Sequence, residues 1–137
     1  MIMKELSIGE LAKYTETQVG TIRYYEKRGL ISKPYRLESG YRRFSLKHIG
    51  EIEFIKQAKA LGFTLKDISK LRAFAQDEEG ISKIHKFVAN KVQDYEDIIR
   101  AFKRKKKSLQ NMLKKCLDKG YVYKCELCAP IESFRDQ

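Results

Sequence analysis

One long, uninterrupted helical pattern, from about Ile81 to Lys115, restricts the fold of this chain more than any other feature. Neither proline nor glycine breaks it, and apolar residues recur every seven positions, at Ile81, Val88, Tyr95, Phe102, Leu109 and Cys116. The intervening row contains Ile84, Ile98 and Met112 and is interrupted by Lys91 and Lys105. At about 1.5 Å per residue such a helix would be about 50 Å long, more than a small domain can cover.

The apolar stripe of this helix needs a partner surface. The helix could fold back against its own domain, or it could pair with the same helix of a second copy in a coiled coil. The rest of the chain is too short to cover the stripe, since 137 residues make about one ordinary domain. We therefore predict a coiled-coil homodimer.

Cap and turn residues predict two short helices at the start of the chain. Ser7 and Glu10 have the spacing of a capping box, so the first helix should open at Ser7. A second helix should begin near Thr17 or Gln18 and end at Gly29. The short connection between the two helices is typical of a helix-turn-helix.

The segment from residue 33 to 44 differs from its helical surroundings. Pro34 and Gly40 bracket a turn, and the aromatic and arginine residues that follow favour a short β-hairpin. A hairpin in this place is a wing. We expect Tyr25 and Phe44 to be core residues that tie the wing to the second helix.

Two further helices should follow the wing. Ser45 predicts the start of a helix that ends at Gly62, with an apolar stripe made of Ile49, Ile52, Phe54 and Ile55. Thr64 and Asp67 form another capping box, followed by the apolar residues Ile68, Leu71 and Phe74. Together these patterns predict a mainly α-helical chain.

The chain is strongly basic. Lysine and arginine exceed aspartate and glutamate by 29 to 18, which gives a formal net charge of +11. This excess is larger in the first half, and it favours a polyanionic partner there, with nucleic acid first and an anionic membrane surface second. No stretch approaches the roughly 18 to 20 apolar residues of a membrane span, so we expect a soluble, cytoplasmic protein.

Three cysteines, Cys116, Cys125 and Cys128, lie close together in the last quarter of the sequence. They are too few for a disulfide framework, and in a reducing compartment such a cluster more often serves metal or redox chemistry. An enzyme with a reactive cysteine would also need a base. The histidines, His48 and His85, have no recognisable catalytic setting, so we do not expect an enzyme.

Four segments resemble the MerR family of transcription regulators, in the family's order and spacing. They are LSIGELA at 6–12, TIRYYEKRGLI at 21–31, SGYRRF at 39–44 and ALGFTLKDI at 60–68. The resemblance implies three regions. These are a winged helix-turn-helix DNA-binding domain at 1–75, an antiparallel coiled-coil dimerisation helix with a hinge at 76–115, and a cysteine-containing effector loop and tail at 116–137.

The resemblance also implies a mechanism. Family members bind, as homodimers, a palindrome in an overlong promoter spacer of double-stranded DNA. They activate transcription by bending and untwisting that DNA, so that RNA polymerase, an indirect partner, can align with both promoter elements. Part of the specificity should then come from the deformability of base pairs that the protein does not touch.

The second helix and the wing carry the expected DNA contacts. Arg23 lies early on that helix, where it can form two hydrogen bonds to a guanine, although it could instead pair with Glu26 or Glu16. The resemblance implies that the wing contacts the DNA backbone and the flanking groove. The full expected set is Thr21, Arg23, Tyr24, Lys33, Arg36, Tyr41, Arg42 and Arg43. The second basic run, at 103–107, is expected to be a solvated helix face.

The resemblance extends to the metal-sensing branch, in which two cysteines placed like Cys116 and Cys125 bind the inducing ion. Members that sense mercury, lead, cadmium or zinc typically add a cysteine from the start of the partner's long helix. The matching position here is Ile81, or Ser82 one residue later, and serine resembles the copper(I) and silver(I) sensors. Two thiolates also suit a linear, soft monovalent ion. We therefore expect Cu(I), with Ag(I), Hg(II) or Zn(II) as alternatives.

Other interpretations of the cysteines stay open. Cys128 could be a third ligand or could form a redox dithiol with Cys125, and His85 could approach the partner's loop in an antiparallel dimer. The alternative hypothesis is therefore a thiol-redox or electrophile sensor on the same DNA-binding scaffold.

Overall fold

The computed structural model describes residues 5–118, so Cys125 and Cys128 lie outside the described residues. This part is mainly helical, as predicted. Its elements are α1 (Ile8–Tyr14), α2 (Val19–Lys27), β1 (Tyr35–Arg36), β2 (Arg42–Arg43), α3 (Leu46–Ala60), α4 (Leu65–Phe74) and α5 (Gly80–Asp118). The chain divides into two compact units, Met1–Ile84 and His85–Gln137.

α1 and α2 form the predicted helix-turn-helix. The hydroxyl of Ser7 accepts from the backbone N–H of Glu10 at 3.2 Å, and the Glu10 carboxylate accepts from the backbone N–H of Ser7 at 2.7 Å. At the other end of α1, the buried Thr15 donates its hydroxyl to the carbonyl of Leu11 at 2.8 Å. Glu16 then adopts a positive φ of 49°, and the chain turns into α2.

The two strands form the predicted wing. They pair antiparallel, with Tyr35 opposite Arg43 and Arg36 opposite Arg42. The turn between them contains Gly40 at a φ of 84°, a conformation that a side chain would strain. The hairpin is short, and its position therefore depends on what anchors it.

The base of the wing is anchored in the core. Two backbone hydrogen bonds of 2.8 Å join Leu6 to Phe44, and both side chains are fully buried. Tyr25 of α2 is buried in the same core, which confirms the core role expected for Tyr25 and Phe44. The wing and α2 are thus built on one packed cluster.

α3 begins after its N-cap residue, Ser45, whose backbone N–H donates to Nδ1 of His48 at 3.0 Å. Ile52 and Ile55 are buried, but Phe54 is 48% exposed, so the prediction that Phe54 belongs to the buried stripe was wrong. Residues 52 and 55 share a helix face, whereas residue 54 lies about 100° around the helix from residue 55.

α4 begins with the predicted capping box. Thr64 accepts from the backbone N–H of Asp67 at 3.1 Å, and the Asp67 carboxylate accepts from the backbone N–H of Thr64 at 2.9 Å. This helix closes the core of the first unit. The core cluster consists of Leu6, Leu11, Ile22, Tyr25, Leu30, Ile31, Phe44, Ile52, Ile55, Ala58 and Ile68.

α5 contains 39 residues and is therefore about 60 Å long. Large apolar side chains on it are exposed, among them Val88, Val92, Tyr95, Ile98, Ile99, Phe102, Leu109, Leu113 and Leu117. The helix thus carries the long apolar stripe that the sequence predicted. Within residues 5–118 no helix is long and apolar enough to cross a membrane.

Candidate functional site

α2 and the wing enclose a cleft with basic walls. Arg23 lies at the middle of α2 and is exposed, while Arg36 and Arg42 come from facing positions of the two strands. The cleft is lined by Arg23, Glu26, Lys27, Lys33, Pro34, Tyr35, Arg36 and Arg42. The structure therefore brings together Arg23, Lys33, Arg36 and Arg42 from the expected set of DNA contacts.

Two residues of this cleft were missed in the sequence analysis. Lys27 lies four positions after Arg23 on α2, so both side chains project from the same helix face. That spacing was the signal that could have identified Lys27. Tyr35 is 68% exposed on β1, and its place in the cleft depends on how the hairpin lies beside α2, which the sequence did not predict.

Glu26 is the acid of this cleft, and it pairs with the wing. Its carboxylate accepts from Nε of Arg42 at 2.8 Å and lies 3.9 Å from Nη2 of Arg36. The alternative pairing of Arg23 with Glu26 is not among the ion pairs of the described residues. Arg23 is thus available to an external ligand, while the two wing arginines share an internal carboxylate.

The other expected contacts do not line the cleft. Tyr24 is 46% exposed on α2 and Tyr41 is 72% exposed beside the wing, so both rings are accessible. The guanidinium of Arg28 lies 5.8 Å from the centre of the Tyr24 ring. Thr21 is half-buried, and Nε of Arg43 is buried with no hydrogen-bond partner in the described part of the chain.

This surface has the chemistry of a double-stranded DNA interface. A helix that presents an exposed arginine can enter the major groove, and a cationic hairpin beside it can contact phosphates. Phosphate contacts fix the register of a protein on the duplex, whereas contacts to base edges select the sequence.

The described part of the cysteine cluster is Cys116, which is half-buried in the last turn of α5. No group of three or more His, Cys, Asp or Glu residues within residues 5–118 is placed to hold a metal ion. Near the opposite end of α5, Ile81, Ser82 and His85 are exposed. Within residues 5–118, Cys116 is therefore the only one of the predicted cysteine ligands.

Two family descriptions match the chain. Residues 6–74 match "MerR HTH family regulatory protein", and residues 44–112 match "MerR, DNA binding". Together these stretches cover the helix-turn-helix, the wing and most of α5.

The chain is also similar to individual proteins over most of its length. It is 36% identical over 121 residues to the "Mercuric resistance operon regulatory protein" of Bacillus cereus, and these residues make up 88% of this chain and 92% of the relative. It is 30% identical over 112 residues to "HTH-type transcriptional regulator CueR" of Salmonella typhi, with 81% of each covered. Among solved structures, the dual function transcriptional regulator MerR from Bacillus megaterium MB1, in complex with mercury(II) ion, matches with a TM-score of 0.68. That match has 31% identity and covers 93% of this chain and 99% of the other.

Proposed function

The chain belongs to the MerR family of helix-turn-helix regulatory proteins and is a transcription regulator, not an enzyme, and we propose that a soft metal ion controls how it distorts promoter DNA. The observation that carries the DNA-binding part of the proposal is the basic cleft between α2 and the wing, which Arg23, Arg36 and Arg42 line. Basic side chains on two elements that share one core are a rigid surface for a duplex.

DNA binding would place α2 in the major groove and the wing on the flanking backbone. Arg23 would read a base edge, and Lys33, Arg36 and Arg42 would contact phosphates or the neighbouring groove. A dimer with twofold symmetry presents two such surfaces and therefore requires a palindrome. Activation by bending and untwisting the duplex would then help RNA polymerase without an enzymatic step.

Dimerisation would cover the apolar face of α5. Tyr95, Ile98 and Phe102 near its middle are exposed, and a helix with this pattern is stable when a second helix packs against it. We propose that the second helix is α5 of another copy, in antiparallel orientation.

The inducer we propose is Cu(I), held by Cys116 and Cys125, and Cys128 is the candidate for a third ligand. The start of α5 offers Ile81 and Ser82 and no thiol, which leaves a small set of sulfur donors and favours a soft monovalent ion. Hg(II) is the principal competitor, because it occurs in the names of a relative and of a similar structure.

DNA binding can be tested with a library of randomised duplexes. The wild-type protein should enrich a palindrome, and footprinting of an enriched duplex should show two protected half-sites about one helical turn apart. Failure to enrich any sequence would reject the proposal.

The metal can be identified by anaerobic titration of the reduced protein with Cu(I), Ag(I), Hg(II) and Zn(II). We expect the tightest stoichiometric binding for Cu(I), and its loss in Cys116→Ser. Ser108→Ala, an exposed position on the same helix, is the control and should bind like the wild type. Tighter binding of Hg(II) than of Cu(I) would identify Hg(II) as the inducer in place of Cu(I). Weak binding of every ion would contradict metal sensing.

A second candidate is thiol-redox or electrophile sensing, which the Cys125-x-x-Cys128 spacing after Cys116 favours. An oxidised Cys116 cannot act as a thiolate ligand, so redox state and metal binding would exclude each other at this residue. Mass spectrometry after mild peroxide treatment should show fast, specific oxidation if this function operates. Transcription that responds to peroxide and not to added metal would favour the redox sensor.

A further inference from the structure

Two arginines stand directly opposite each other in the wing. Arg36 and Arg42 are register partners of the hairpin, and like charges at facing positions of a strand pair repel each other. An isolated pair of two-residue strands is marginally stable at best. The wing therefore needs a counter-charge to hold both guanidinium groups in one place.

That counter-charge comes from α2. Oε2 of Glu26 accepts from Nε of Arg42 at 2.8 Å, and Oε1 lies 3.9 Å from Nη2 of Arg36, so each carboxylate oxygen faces a different arginine. The Glu26 side chain is only 16% exposed, against 53% for Arg36. A shielded carboxylate is screened less by salt than an exposed one, and its hydrogen bond to a guanidinium is charge-assisted.

We propose that Glu26 is a positioning residue for DNA recognition, which orients Arg42 and Arg36 of the wing relative to Arg23 on α2; this rests on the proposed DNA-binding function. Glu26 lies one helical turn after Arg23 on the same helix, so it couples the wing directly to the segment that would read bases. The Nε–H of Arg42 donates to Glu26, and the Nη groups of the same guanidinium can still donate to a DNA phosphate.

The positioning role and simple electrostatics predict opposite results. Removal of an acid from a DNA-binding surface should raise the affinity for every duplex, because repulsion of phosphates is lost. Loss of positioning should lower the affinity only for a duplex whose base edges and phosphates fit the oriented arginines. The ratio of specific to non-specific affinity therefore separates the two.

The test compares Glu26→Gln with Glu38→Gln, which removes the same charge from an exposed position in the turn of the same wing. Each full-length variant is titrated against a duplex enriched by the wild type from a randomised library and against a scrambled duplex of equal length. For Glu26→Gln we expect the affinity for the enriched duplex to fall about tenfold, with no loss on the scrambled one. Glu38→Gln should leave the ratio of the two affinities unchanged.

An unchanged affinity ratio in Glu26→Gln would overturn the proposal. A wild-type protein that enriches no duplex would instead reject DNA binding itself, so the two failures are distinguishable. Thermal melting checks that Glu26→Gln is folded. If it is not, Glu26→Asp keeps the charge but shortens the side chain, and it should show a smaller fall in the same ratio; a wild-type ratio in that variant would also overturn the proposal.

A double variant tests whether Glu26 acts on DNA recognition through Arg42 of the wing. In an Arg42→Gln background, Glu26→Gln should lower the affinity for the enriched duplex much less than it does alone, because its main partner is already absent. Full additivity of the two substitutions would mean that Glu26 does not act through Arg42, and would count against the proposal.

Discussion

The ammonium group of Lys105 lies 5.3 Å from the centre of the Phe102 ring, and both residues belong to the seven-residue pattern of α5. A lysine in such a row lowers the stability of a coiled coil while it restricts the register. Lys105→Leu should therefore lower the dissociation constant of the dimer about tenfold, because pairing no longer has to desolvate a charge. Sedimentation equilibrium measures this constant.

Lys107→Leu is the matched control for this substitution. Residue 107 lies two positions further along α5, outside both apolar rows, so the same chemical change should leave the dissociation constant near the wild-type value. Equal tightening in both variants would mean that added hydrophobicity, and not the apolar stripe, drives association.

Gly80 begins α5 where the chain passes very close to the end of α4. A Cβ at this position would lie 1.8 Å from the carbonyl oxygen of Phe74, and backbone cannot move away as a flexible side chain can. Gly80→Ala should therefore lower the free energy of unfolding by about 1–3 kcal/mol or more. Chemical denaturation measures the effect.

Gly50→Ala serves as the comparison for Gly80→Ala. A Cβ at Gly50 of α3 meets no atom within 4 Å, so the substitution should raise the free energy of unfolding by about 0.5–1 kcal/mol through helix propensity. Destabilisation of similar size in both variants would contradict the close approach at Gly80.

Local signals explain why much of the fold was predictable from the sequence. The capping boxes at Ser7 and Thr64 involve residues three positions apart, and the turn at Gly40 depends on a conformation that glycine adopts easily. The long helix was predictable because every seventh residue from Ile81 to Cys116 is apolar and no proline or glycine lies between them.

Longer-range relationships were not predictable in the same way. Glu26 pairs with Arg42, 16 residues away, whereas the pairing that the sequence suggested for Glu26 was with its neighbour Arg23. Phe54 is apolar and follows a buried residue by two positions, yet its side chain is exposed because of its angle around α3. The ligand set beyond Cys116 involves residues outside 5–118 and stays a prediction.

The start of α5 should make stability depend on pH through Asp77. The hydrogen bond from Lys83, with a second from the backbone N–H of Glu79, holds the pKa of Asp77 below its ordinary value of 3.8. Because the pKa of Asp77 is lower in the folded state than in the unfolded state, the ionised carboxylate stabilises the fold at pH values above its unfolded-state pKa. This stabilisation is lost as the pH falls through the folded-state pKa. Between about pH 5 and pH 3, the melting temperature of Asp77→Asn should therefore fall less than that of the wild type.

The control for this pH dependence is Glu78→Gln, which removes the same charge from the adjacent exposed residue. Its melting temperature should fall with pH as steeply as that of the wild type. An Asp77→Asn curve parallel to the wild-type curve would show that the pair with Lys83 contributes nothing to the acid sensitivity.

Arg23 and Lys33 should differ in what they contribute to DNA binding. Arg23 projects from α2, where it can bond a base edge, so Arg23→Ala should cost about 1–3 kcal/mol on an enriched duplex and relax the preference at one base position of each half-site. Lys33→Ala, which removes a contact to a DNA phosphate, should weaken binding to all duplexes by a similar factor and reduce the salt dependence of the affinity. Affinities measured for all single-base variants of the duplex at two salt concentrations distinguish the two patterns. A uniform loss in Arg23→Ala would place Arg23 on the backbone and leave base reading to another residue of α2.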